Sequence, residues 1–157
     1  MKWVTRERPK IDRLACPWLI KRFIDNEAQF LYVASSQVLE AASREGATPY
    51  DVPDVELTHD GSFCSFDAFI KKYQLSDPAL SRLADIVRAA DTDQLARSPE
   101  APGLLAISLG LGAIYHDDQQ LLAAAMPVYD ALYAWCTMGG SATHDWKPDA
   151  LRREMAS

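Results

Sequence analysis

The chain has 157 residues, 48% hydrophobic and 24% charged, with a net charge of −6 and a pI near 5.0. That is enough for one domain with a buried core, and too acidic for broad binding to a nucleic-acid backbone. No apolar run reaches the roughly 18–20 residues of a membrane span, and the start, MKWVTRERPKIDR, lacks the apolar stretch of a secretory signal.

A cytoplasmic protein without a membrane or nucleic-acid partner is expected. Cys16, Cys64 and Cys136 form an odd set without a CxxC pair, so reduced thiols are expected rather than a disulfide framework. The charge is uneven: Lys2, Arg6, Arg8, Lys10, Arg13, Lys21 and Arg22 face only Glu7 and Asp12 in the first 22 residues. A cationic segment on an acidic body either pairs with that body or holds an inorganic oxyanion.

In chain order, KWVTR at 2–6 has the composition of a short strand. DRLACPWLIKRFID at 12–25 reads as a helix with Asp12 as its N-cap. Pro17 interrupts that pattern, which suggests as an alternative a late start near Cys16 with Pro17 in the first turn. AQFLYV at 28–33 is a second strand, and Ser35 or Ser36 caps a helix over 37–45 that Gly46 closes. TPYDVPDVELTHDG is irregular, with VELTH as a strand turning at Asp60-Gly61.

From Cys64 onward the pattern is helical. FDAFIKKYQL and DPALSRLADIVRAAD are followed by a polar link, then by EAPGLLAISLGLGAIY and DDQQLLAAAMPVYDALYAWCTMG, with a kink expected at Pro127. His116-Asp117-Asp118 reads as a loop with an Asp N-cap for QQLLAAAM. The expected fold is α+β, a small sheet from the N-terminal half and a mainly helical C-terminal half. One domain over 1–138 precedes a loosely ordered tail over 139–157 that contains His144.

The segment ELTHDGSFCSFDAF gathers metal-ligand types. His59 lies in a loop leading into a helix whose first turn holds Asp67, so both reach the same helix end, with Cys64 as a possible third ligand. Asp91 ends one helix and Glu100 opens the next. A carboxylate at a helix C-terminus opposes the macrodipole, so Asp91 needs a cation or one of Arg82, Arg88 and Arg97. His59, Asp67, Asp91 and Glu100 are the candidate metal ligands, a set suited to zinc, iron, manganese or nickel. Arg6, Arg13 and Arg22 are the candidate oxyanion ligands, and Cys16 and Cys64, each near a helix start, the redox candidates. The plainer reading has the carboxylates paired with arginines and the cysteines inert in the core.

The blocks WVTRERPKIDRLACPWLIKRFID, YDVPDVELTHDGSFCSFDAFI, IVRAADT, PEAPGLLAISLGL and PVYDALYAWC, in this order over residues 2–137, resemble the C-terminal domain family of the bacterial chromate-resistance protein ChrB. The resemblance implies a role in chromate or heavy-metal response. It also implies the stand-alone form of that domain, without the regulatory region of longer members and hence without DNA binding.

Three functions follow as expectations: a domain that senses or detoxifies by binding a metal ion or oxyanion, a metal-dependent enzyme of unknown reaction, and a structural or dimerisation domain. For the last, Leu121, Leu122, Met126, Tyr129 and Tyr133 offer a homodimer stripe.

Overall fold

The computed structural model describes residues 1–139. The candidate tail, beyond Gly139, and His144 within it lie outside the described residues. In order, the elements are β1 Lys2–Arg6, α1 Asp12–Phe23, β2 Gln29–Val33, α2 Val38–Glu45, β3 Thr48–Pro49, α3 Ser65–Lys72, α4 Pro78–Asp91, α5 Ala101–Ile114 and α6 Asp118–Thr137. The fold is α+β, with a small sheet at the N-terminal end of a mostly helical chain.

The three strands are parallel in the order β2-β1-β3, with β1 in the centre. Alternation along β1 serves two cores. Trp3 joins the larger core, built around α1 and the C-terminal helices, while Val4 joins a smaller one with Val38 and Ala41 of α2. Helix α1 is buried from Leu14 through Ile20, so it is the hub of the larger core rather than a surface helix.

Pro17 does not delay α1. The proline has no N–H to give to the carbonyl of Arg13, four residues earlier. The hydroxyls of Tyr32 and Tyr50 donate to that oxygen instead, at 3.1 and 3.5 Å. The helix start does differ from the expectation. Asp12 is the first helical residue, and Ile11 holds the cap position with φ 42° and no side-chain cap. Positive φ is strained for a β-branched residue. The bend is clamped by Ser108, which accepts from the Ile11 N–H at 3.2 Å, and by Tyr129, which donates to the Ile11 carbonyl at 3.0 Å.

The third strand also falls elsewhere. Thr48–Pro49 pairs with β1, and VELTH is an irregular, bending segment instead of a strand. Asp51 and Asp54 both take left-handed backbone, φ 52° and 65°, which reverses the chain, and the Asp51 N–H closes the loop on the Leu57 carbonyl at 2.8 Å. The Asp60-Gly61 turn forms as expected, with Asp60 and Phe63 exchanging two backbone hydrogen bonds of 3.0 Å.

A short 3-10 turn over Ser35–Gln37 leads into α2, which Gly46 ends in left-handed geometry. Asp77 caps α4 through the Ala79 N–H, and Asp117 caps α6 through the Gln120 N–H. Helix α6 runs through Pro127 as one assigned helix. Its residues Leu121, Leu122 and Tyr129 are buried, and Met126 and Tyr133 pack on the same core, so this stripe belongs to the chain's own interior. Among the described residues, no helix is long and apolar enough to cross a membrane.

Candidate metal centre

Parallel sheets place ligand sites beyond the carboxyl ends of their strands, where the loops diverge. Here β1 ends at Arg6, the following loop leads to Asp12 at the start of α1, and β3 is followed within two residues by Asp51. The C-terminus of α4 adds Asp91, and the loop before α3 adds His59. These groups meet around a single atom. His59 Nε2 lies 3.0 Å from Asp91 Oδ2, 3.2 Å from Asp51 Oδ1 and 3.5 Å from Asp12 Oδ2. A ring nitrogen carries at most one proton, so one imidazole cannot satisfy three carboxylates with hydrogen bonds. Donor atoms of Asp12, His59 and Asp91 all lie within 4.8 Å of one another, a spacing that fits one ion.

Each member is fixed by its surroundings. Asp12 is fully buried and caps a helix other than its own, accepting from the N–H groups of Ser65 at 2.6 Å and Phe66 at 3.0 Å at the start of α3. Asp91 closes α4, where the helix dipole disfavours its charge, and accepts weakly from the Asp12 N–H at 3.4 Å. Asp51 is the bridge. Its Oδ1 accepts from the Ser65 hydroxyl at 2.8 Å, and its Oδ2 faces Arg6 at 3.2 Å and Arg13 at 3.5 Å. His59 is 41% exposed, so one side of the group opens to solvent.

The crowding shows in the proton affinities. Burial, then repulsion from Asp91 and Asp51, raises Asp12 to about 8. Burial and Asp51 raise Asp91 as well. Burial also works to raise Asp51, but hydrogen bonds from His59 and Ser65 outweigh it and hold that carboxyl below its ordinary value. The Asp51 hydrogen bond and the neighbouring carboxylates, working against burial, push His59 up to about 9. Protons therefore stand in where positive charge is short.

The other candidate residues lie apart from this group or at its edge. Asp67 receives both ends of the Arg88 guanidinium, at 2.6 and 2.9 Å, and accepts from the Cys64 N–H at 3.0 Å. Glu100 accepts from the Ser98 hydroxyl at 3.1 Å. Arg6 and Arg13 stand together over Asp51, whereas Arg22 forms a two-pronged pair with Asp130 at 2.8 and 2.9 Å, nine residues further along α1.

Cys16 and Cys64 are both buried. Because α1 begins at Asp12, Cys16 lies beyond the helix start, and only Cys64 holds a cap position; burial and then the Asp12 charge push both thiols well up. Cys16 lies 3.5 Å from Asp12 Oδ1 as a donor.

Asp12 and Asp51 were not among the expected ligands. Asp12 reads as an ordinary N-cap and Asp51 as one acid in an irregular loop. Only the apolar run LACPWLI after Asp12, and the turn propensity around Asp51, hinted at anything more.

Fold and site together define an α+β domain with a carboxylate–histidine cluster at the carboxyl edge of a parallel sheet. The chain belongs to the ChrB C-terminal domain family, whose model, described as "ChrB, C-terminal domain", matches residues 3–136. It is similar to Protein ChrB of Cupriavidus metallidurans, with 32% identity over 133 residues, 84% of this chain and 40% of that protein. The chain therefore spans about two fifths of the length of that relative. No solved structure matches it.

Proposed function

We propose that the chain binds a divalent metal ion through Asp12, His59 and Asp91, with Asp51 joining the ion to Arg6 and Arg13, and that this site serves a chromate or heavy-metal response. The observation that carries the reading is the one imidazole nitrogen facing three carboxylates within 3.5 Å. An ion at that point replaces protons that the cluster otherwise retains. The donor set is oxygen-rich with one imidazole, which suits zinc, iron, manganese or nickel, and the protonated cysteines stay outside it.

Two observations favour a small anion beside the ion. Arg6 is 39% exposed at its side chain, and its Nε is buried without a hydrogen-bond partner. The Arg13 Nη1 donates to the carbonyls of Arg6 and Glu7, at 3.0 and 2.9 Å, which fixes the guanidinium beside Arg6. An oxyanion would find forked donors there. The exposed edge of His59 favours, as a second reading, a metal-dependent enzyme. A bound ion with an open position would act as a Lewis acid toward a solvent-side ligand.

Elemental analysis of gently purified protein tests the proposal. Near-stoichiometric divalent metal is expected in the parent chain and its loss in His59→Ala. Parent protein that stays metal-free, and whose melting is unchanged by added zinc, iron, manganese or nickel, would contradict it.

A further inference from the structure

Arg8 and Lys10 belong to the cationic N-terminal segment but not to its ion pairs. Arg6 and Arg13 both face Asp51, whereas Arg8 and Lys10 are exposed and form no ion pair among the described residues. Both line a cleft of about 220 Å³ between the loop that follows β1 and the junction of α5 with α6. Tyr115, His116 and Asp118 of that junction also line it, and so does Ser108, which is only 3% exposed.

The cleft is fastened on both sides. The Arg8 N–H donates to Asp118 Oδ2 at 3.1 Å, and the Ile11 N–H to Ser108 Oγ at 3.2 Å. Arg8 is held there in left-handed backbone, φ 53°, a conformation that costs a non-glycine residue free energy. The loop is thus fixed to α5 and α6 with the cleft already formed, which lowers the ordering cost of binding.

Ser108 is a separate observation that points to an occupant. A serine hydroxyl has one proton to donate besides the lone pairs with which it accepts. Ser108 accepts from Ile11, but its own proton meets no acceptor among the described residues. A buried donor without an acceptor is costly, and an anion in the cleft would supply one.

We propose that this cleft binds a small tetrahedral oxyanion that keeps a proton at neutral pH, of which hydrogen phosphate is the type. Arg8 and Lys10 supply the positive charge, and Ser108, Tyr115 and His116 supply neutral donors. The volume lies below the roughly 300–1,000 Å³ of pockets for drug-sized ligands, so a small anion fits better than a nucleotide. Asp118 selects among oxyanions. Its Oδ2 accepts from Arg8, while its Oδ1 has no hydrogen bond among the described residues. That carboxylate repels sulfate, which has no proton to offer, but accepts from the P–OH of hydrogen phosphate. No residue of the cleft belongs to the His59 group, so the inference stands independently of the metal reading.

Calorimetric titration of sodium phosphate into the chelator-treated full chain, at about 0.15 M salt, tests it. One site with a dissociation constant of about 0.1–1 mM is expected, with sulfate about tenfold weaker or more. Arg8→Gln with Lys10→Gln should weaken phosphate binding about tenfold or more at an unchanged melting temperature, since both side chains are exposed. Asp118→Asn keeps an acceptor for the Arg8 N–H and gains a donor, so sulfate should tighten and the preference for phosphate disappear. His59→Ala should bind phosphate as the parent does, whatever becomes of its metal. Absence of saturable phosphate binding, or equal binding of sulfate by the parent, would overturn the proposal. Phosphate binding lost in Arg6→Gln but kept in the Arg8, Lys10 variant would overturn it by placing the anion at the Arg6–Arg13 pair.

Discussion

Two acidic groups lie close together in this fold and are built differently. At Asp67 a single carboxylate meets a single guanidinium, Arg88, with both prongs engaged and the Cys64 N–H filling a remaining lone pair. At His59 three carboxylates share one imidazole and the edges of two arginines. The first group is complete as it stands, an ion pair that fastens α3 to α4. The second lacks positive charge and makes up the difference with protons. Residue type does not distinguish the two, since both contain aspartates beside helix ends. What differs is the number of cations that the fold brings to each.

Substitution should widen that contrast. Asp12→Ala is expected to have the largest effect, because the buried N–H groups of Ser65 and Phe66 lose their acceptor along with the metal ligand. A loss of about 2–4 kcal/mol in urea unfolding is expected, and a loss under 0.5 kcal/mol would mean that Asp12 does not fasten α3. Arg88→Ala leaves Asp67 without its cation and should cost about 1–2 kcal/mol, discounted for partial exposure, with metal affinity unchanged. If affinity fell as well, the two acidic groups would be coupled.

The third effect is the gentlest and follows from proton linkage. Both His59 and Asp12 have folded-state values above their ordinary ones, about 9 and about 8. The stability that His59 contributes is full below its ordinary value near 6.5 and is lost as pH rises through about 9. For Asp12 it is full below about 4 and lost as pH rises through about 8. Asp51, held low, acts in the opposite sense, losing its contribution only as pH falls through the acidic range. In chelator, the melting temperature should therefore decline between about pH 6 and pH 9. Excess divalent metal should oppose the decline, because binding displaces the same protons. A flat profile in chelator would remove the electrostatic basis of the account.

Much of the fold could be read from the sequence because it rests on local chemistry. The strands read at 2–6 and 28–33, the Gly46 stop and an aspartate cap before QQLLAAAM each depend on residues a few positions apart. His59 and Asp91 were also legible, the first as a ligand type in a loop before a helix, the second as a carboxylate set against its own helix dipole. Asp12 was harder to read, because it caps a helix that begins 53 residues later and its place as a helix start concealed that role. Asp51 depends on a left-handed turn and on a pairing with arginines some 40 residues earlier, which no local pattern encodes. Asp67 looked like a ligand by spacing, and Arg88, 21 residues on, claims it instead. Periodicity fixes which face a residue occupies, but not which distant charge will be there to meet it.

The most direct test sets the two groups side by side: calorimetric titration of divalent metal into Asp91→Asn and Asp67→Asn, each isosteric and each removing one charge. Asp91→Asn is expected to lose affinity about 100-fold or more, and Asp67→Asn to bind as the parent does. Unchanged binding in Asp91→Asn, or its loss only in Asp67→Asn, would place the ion elsewhere and contradict metal binding at the His59 group.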